Sequence, residues 1–350
     1  MNIETLLTAA VEKDASDIYI IAGLPASLRK NKNIEHEFDR LLPQDTQRLL
    51  SQLYSMAGNR SMEQLLTTGD DDFSFSVPGL SRFRVSAFKQ RGSLAAVIRV
   101  IRFSLPDSEQ LHIPEAVMEL AGIRQGMVLV TGTAGSGKST TLACLIDRIN
   151  HDRQSHIITL EDPIEYLHRH DQSIVTQREI GSDTQSYVKA LRAALRQSPD
   201  IILLGEMRDY ETIEVAMTAA ETGHLLFSTL HTLGAANTIE RIIDVFPANQ
   251  QRQIAVQLAM VLRAVVSQQL VPALDGSLVP AFEVMMVNPA IRTMIRDSKV
   301  HQIDGILAAS ARDEMFSMDM NLMQLFQKGI ISRETALNYA ANPEQMAKKL

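Results

Sequence analysis

The chain has a single cysteine among its 350 residues. One thiol, Cys144, excludes an intrachain disulfide and any Cys-rich zinc module. Its neighbours Leu142, Leu145 and Ile146 give it the setting of a core residue. Long apolar runs are also missing. No stretch approaches the roughly 18–20 apolar residues that span a bilayer, so no membrane insertion is expected. The opening segment, MNIETLLTAAVEKDASD, has no basic start and carries acids early, unlike a secretory signal. A cytoplasmic protein is expected, one able to dock on a membrane complex. There is no cationic excess. Lys and Arg number 34 against 41 Asp and Glu, for a net charge of −7, and direct coating of nucleic acid is therefore not expected. The rest is ordinary for a globular chain, with 45% hydrophobic and 21% charged residues. The length suits about two domains of roughly 150 residues each.

The first hundred residues group their strands. DIYIIA (17–22), DFSFSV (72–77), RFRVSAF (82–88) and LAAVIRVI (94–101) are rich in β-branched and aromatic residues and are punctuated by VPG and QRG. LPQDTQRLLSQLYSMAG predicts a helix with Pro43 early and Gly58 at its end. This is an α+β pattern. RFSLPDSEQLHIPEAV (102–117) holds two prolines and few apolar runs, which places a linker there. Beyond it, MVLVTG, SHIITLED, PDIILLGE and HLLFSTLHT alternate with helical segments. Such continuous apolar runs are expected of strands buried on both faces of a mostly parallel sheet. The last sixty residues read as helical.

GTAGSGKS (132–139) fits G-x-x-x-x-G-K-[ST] in full, with a strand before it and a helix after it. In such a loop Gly132, Thr133, Ala134, Gly135, Ser136 and Gly137 turn successive backbone N–H groups toward phosphate oxygens. Lys138 would reach the β- and γ-phosphates, the Ser139 hydroxyl would bind Mg²⁺, and helix 138–150, with Ser139 and Thr140 in its first turn, adds a dipole that favours an anion. A nucleoside triphosphate is the expected ligand. DIILLGEMRD ends an apolar strand on Glu206, a carboxylate placed for Mg²⁺ or the attacking water. TLEDPIEY packs Glu161, Asp162 and Glu165 around a proline just past another strand, and a water-activating or metal-binding role would account for that repulsion. TGHLLFSTLHT carries His224 and His231. His231, followed by Thr232 at a strand end, stands where a γ-phosphate sensor would lie.

Together these stretches resemble the PilT-type ATPases, retraction motors of type IV pili within the secretion-ATPase superfamily. The resemblance runs over nearly the whole chain. TGTAGSGKSTT is similar to the family's Walker A loop, TLEDPIEY to its Asp box, PDIILLGEMRDYETI to its Walker B strand and AAETGHLLFSTLHT to its His box. ASDIYI, GLPASLR and PGLSRFRVSAF resemble its N-terminal domain. NPAIRTMIRDSK (288–299) resembles the AIRNLIRE element of the retraction class, which a PilU-like accessory motor would be expected to lack. Tyr19 stands where the family usually has His, Thr133 and Ala134 where it has Pro and Thr, and Ser228 where it has Gly. None of these removes a group that does phosphate chemistry.

The resemblance implies an α/β fold: an N-terminal PAS-like α+β domain (1–101), the linker 102–117, a RecA-like P-loop ATPase domain (118–287) and a helical C-terminal region (288–350). It implies a homohexamer with ATP at each subunit junction, Mg²⁺ as cofactor, and an inner-membrane pilus platform protein as partner at the cytoplasmic face. Arginines of the N-terminal domain reach the γ-phosphate in the superfamily, and the matching positions are Arg84 and Arg99. Glu165 or Glu206 activates water. Glu165 is favoured as the base, with Glu206 on the Mg²⁺ side. Extension and secretion motors carry a Cys-rich zinc insert, which a single cysteine does not provide. A conjugation-type ring ATPase and a nucleotide-bound regulatory scaffold are the further alternatives.

Overall fold

The computed structural model describes residues 2–30, 33–101, 105, 107–310 and 314–350. Positions 102–104 and 106 of the expected linker lie outside the described residues. The chain forms two units, Met1–Ser104 with Ile164–Leu167, and Leu105–Pro163 with His168–Leu350.

The first unit runs α1 (Ile3–Glu12), β1 (Asp17–Ile20), β2 (Pro25–Lys30), β3 (Asn33–Arg40), α2 (Pro43–Met56), α3 (Glu63–Thr68), β4 (Asp70–Val77), β5 (Ser81–Gln90) and β6 (Ser93–Ile101). Asn2 starts α1, its Oδ1 accepting from the Thr5 N–H at 2.8 Å. Pro43 opens α2, where a missing N–H costs nothing. The strands form one antiparallel sheet in the order β3-β2-β1-β6-β5-β4. Alternation sends Ile18, Ile20, Val85 and Ile98 into a core with Leu6 and Leu7 of α1 and Leu49, Leu50 and Leu53 of α2. The sequence reading missed β2 and β3. β3 spells Asn-Ile-Glu-His-Glu-Phe-Asp-Arg and is exposed along most of its length. It is an edge strand blunted by charge, so it lacks the alternation that would announce it.

Asp71 on β4 has a fully buried side chain. Arg60 grips it with two bonds, Nε to Oδ2 at 3.0 Å and Nη2 to Oδ1 at 2.8 Å, and the Tyr54 hydroxyl donates to Oδ2 at 2.9 Å. Burial, aided by Asp71, pushes the Tyr54 pKa up, so the phenol stays a donor. Arg60→Ala would strand the carboxylate with one remaining donor. Because Arg60 is itself partly exposed, a loss of about 2–3 kcal/mol is expected, below the full range for a wholly buried pair. A urea unfolding midpoint unchanged in Arg60→Ala would refute this.

The second unit contains α4 (Glu115–Met118), β7 (Gly126–Thr131), α5 (Lys138–Asp152), β8 (His156–Glu161), β9 (Ile174–Glu179), α6 (Tyr187–Ala194), β10 (Ile201–Leu204), α7 (Tyr210–Glu221), β11 (Leu225–Leu230), α8 (Ala235–Asp244), α9 (Ala248–Val261), β12 (Leu262–Pro272), β13 (Leu278–Met286), α10 (Pro289–Arg296), α11 (Ile303–Ala309), α12 (Met318–Gln327), α13 (Arg333–Tyr339) and α14 (Pro343–Lys349). Its seven strands lie in the order β13-β12-β7-β11-β10-β8-β9. All neighbours are parallel except β12 and β13, a long antiparallel pair the sequence reading did not anticipate. The expected apolar strands β7, β10 and β11 are buried at every position. One face packs on α6, α7, α8 and α9, and the other on α4 and α5. The chain is thus a mixed α/β protein. Among the described residues no helix is long and apolar enough to cross a membrane.

Candidate active site

In a parallel sheet the loops after successive strands emerge at one edge, the usual place for a ligand. Here the loops after β7, β11, β10 and β8, which are adjacent in that order, bring together the glycine loop, His231, Glu206 and Glu161.

The glycine loop is shaped against β12. Gly132 has φ +146°, and a Cβ there would lie 2.2 Å from the Gln268 carbonyl oxygen and 2.6 Å from Ser136 Oγ, so only glycine fits. Gly137, at φ +89°, leads directly into α5. Lys138 is 8% exposed, and its Nζ donates to the carbonyls of Gly132 at 2.9 Å and Thr133 at 2.8 Å. The buried Ser136 hydroxyl has no hydrogen-bond partner among the described residues. Thr133, Ala134 and Gly135 are exposed, while Ser139 and Thr140 are half-buried on the first turn of α5. A helix N-terminus, an ammonium group and an unmatched hydroxyl in one turn suit a phosphate chain.

Glu206 follows β10 and is 8% exposed. Its Oε1 lies 2.6 Å from Arg208 Nη2 and its Oε2 3.4 Å from His231 Nε2. The hydrogen bond that Arg208 donates to Glu206 is the largest influence raising the Arg208 pKa. Backbone and hydroxyl bonds lock this turn to β11: Met207 N–H donates to Thr229 O at 3.1 Å, and Thr229 Oγ1 donates to Gly205 O at 2.7 Å. Gly205 leaves room for Tyr187, whose Oη would stand 2.9 Å from a Cβ there. Burial, then the charges of Glu206, Asp162 and Glu161, raise the Tyr187 pKa and keep the phenol protonated. Glu161 is tied down, accepting from Thr159 Oγ1 at 2.7 Å and Gln177 Nε2 at 3.3 Å. Asp162 is exposed.

The other expected residues have different settings. Glu165 is exposed, in the segment 164–167 that groups with the first unit. Arg84 and Arg99 face each other across β5 and β6. Arg99 Nε pairs with Asp17 Oδ1 at 3.1 Å. His224 immediately precedes β11, at the opposite strand end from His231, and its Nδ1 sits 2.9 Å from the Ala219 carbonyl. Six strand residues separate the two histidines by roughly 20 Å, too far for His224 to join the Glu206 cluster of this chain.

Two residues were missed. Arg208 was legible as the first cation past Glu206 on the same turn. Gln268 gave no local sign, being a buried amide in the apolar strand β12. It accepts from Thr141 Oγ1 of α5 at 2.8 Å, and its Nε2 would lie 2.9 Å from a Cβ on Gly137. It therefore braces the glycine loop and the following helix together.

The type II/IV secretion system protein family model matches residues 1–327. The chain is 42% identical over 344 residues to the type IV pilus retraction ATPase PilT of Pseudomonas aeruginosa, covering 98% of this chain and 99% of that protein. It is 40% identical over 342 residues to the type IV pilus ATPase PilU of the same organism, covering 97% of this chain and 89% of that one. A crystal structure of the pilus retraction motor PilT with bound ADP superposes with a TM-score of 0.90 at 44% identity, over 99% of both chains.

Proposed function

Because this chain belongs to the type II/IV secretion system protein family, within its PilT-type branch, we propose that it is a motor ATPase that hydrolyses ATP to drive type IV pilus retraction. The observation that carries this reading is the likeness to PilT along 98% of the chain. It works as a homohexamer at the cytoplasmic face of the inner membrane and acts on a pilus platform protein. Residues 1–101 form a PAS-like domain, 102–117 the linker, 118–287 a RecA-like ATPase domain and 288–350 a helical region.

The chemistry follows from the groups already described. Lys138 exchanges the carbonyls of Gly132 and Thr133 for the β- and γ-phosphate oxygens, and the loop amides of 132–137 hold the rest of the chain of phosphates. Ser139 and Glu206 offer a hydroxyl and a carboxylate, hard oxygen donors that suit Mg²⁺. When bound, the cation neutralises charge on the phosphates. Arg208 and His231 orient the Glu206 carboxylate, and His231 follows the state of the γ-phosphate. Glu165 takes the proton of the attacking water. Arg84 and Arg99, supplied from a neighbouring subunit, stabilise charge on the transferring phosphoryl group.

Glu165→Gln keeps the size and removes the base. ATP should still bind, and hydrolysis should slow at least ~100-fold, the usual scale of a general base. Normal turnover would move the base role to Glu206. The reading as a whole is tested by ATP turnover of the purified protein beside a pilus-retraction assay in a strain lacking it. Turnover without a retraction defect would reassign the chain to secretion or conjugation. Binding without turnover would make it a regulatory scaffold.

A further inference from the structure

Glu283 lies in the middle of β13, only 7% exposed, and the scheme above gives it no part. A carboxylate is costly in an apolar sheet unless strong donors meet it. Burial raises its pKa, and two backbone amides oppose that rise by bonding the charged form. One is the Ala235 N–H, 2.8 Å from Oε1, and the other the Met318 N–H, 3.5 Å from Oε2. The first belongs to the start of α8 and the second to the start of α12.

Ser267 on β12 is the cross-strand partner of Glu283. Its Oγ accepts from the Gly234 N–H at 2.9 Å. The paired side chains therefore hold two successive amides, those of Gly234 and Ala235. Thr238 tightens the same turn, donating to Gly234 O at 2.8 Å and meeting Thr232 Oγ1 at 2.7 Å. The loop 231–234 is thus anchored by β11 at one end and by this grip at the other. His231 sits on it, 3.4 Å from Glu206. A displacement of the Gly234 end has few residues over which to dissipate before it reaches the imidazole.

We propose that Glu283 is a positioning residue for hydrolysis: by holding the Gly234–Ala235 end of the loop it sets His231 against Glu206, and through the Met318 amide it ties that setting to the start of α12. This rests on the ATPase reading above, and one arm of the test stands without it.

Glu283→Gln preserves shape but replaces one acceptor oxygen by a donor. It should lower kcat roughly tenfold while nucleotide Kd stays within about twofold. In a His231→Ala background the same change should cost less than about twofold, because the residue through which it acts is gone. Equal losses in both backgrounds, or no loss with His231 present, would overturn the proposal. If Glu283→Gln does not fold, Ser267→Ala, which removes only the Gly234 acceptor, replaces it in the same cycle with the same criterion. The independent arm uses ¹³C-histidine-labelled protein, with the His231 resonance identified by its loss in His231→Gln. Glu283→Gln, or Ser267→Ala, should move that resonance and leave those of His36 and His156 in place. An unmoved His231 signal, or equal movement of all three, overturns the positioning role whether or not the protein hydrolyses ATP.

Discussion

Lys138→Ala is expected to lower ATP turnover by about 10³-fold and to weaken nucleotide binding. The ammonium is nearly buried and already held inside the glycine loop by the carbonyls of Gly132 and Thr133. On the proposed reading its charge is therefore pre-oriented for the phosphates, and its loss would remove a fixed cation at the point where negative charge would develop. Removing a single preorganised donor costs about 10²–10³ in rate, and a cation on a transferring phosphoryl group is worth about 10³ or more. The fold should survive. Gly132 and Gly137 shape the loop against Gln268 without the lysine, and the Thr141–Gln268 bond keeps α5 in place. Turnover, binding of a fluorescent ATP analogue and thermal melting of the variant make the test. Wild-type turnover in a folded Lys138→Ala protein would sink the assignment of the loop.

The second large effect is expected in cells. Arg292→Ala combined with Arg296→Ala should abolish pilus retraction while leaving folding and nucleotide binding intact. α10 divides its faces cleanly. Ile291 and Ile295 are fully buried, whereas Arg292 and Arg296 are exposed. Asn288 caps the helix by accepting the Ile291 N–H at 2.9 Å, so the arginines are not needed to form it. The ion pair of Arg296 with Asp297 is a surface pair and contributes little to stability. ATP turnover should fall partly as coupling is lost, yet stay well above that of Lys138→Ala. Ile295→Ala would be a poorer probe, since a core cavity costs about 2–5 kcal/mol and would confuse the readout. Unimpaired retraction in the double variant, with the melting temperature unchanged, would remove the reason to assign α10 to retraction.

The glycine loop, the apolar strands β7, β8, β10 and β11, and the amphipathic α10 were legible because each is a contiguous pattern. A phosphate loop needs its glycines, lysine and serine in one short run, and burial on both faces or on one helix face prints a period directly into the chain. The edge strand β3 was not legible, because an exposed edge selects charge and erases alternation.

What the sequence determined by itself is therefore the chemistry each segment can offer: a loop for phosphates, carboxylates at strand ends, and a basic face on α10. Only the tertiary structure decided which groups meet. Glu206 reaches His231 because β10 and β11 lie side by side. His224, just before β11, is left at the far end of that strand. Gln268 and Glu283 act on the loops after β7 and β11 although they are distant in the chain, because β12 pairs with β7 and β13 pairs with β12. Strand neighbours are chosen by non-local hydrogen bonding and by the packing of whole faces, and no window of sequence carries that choice.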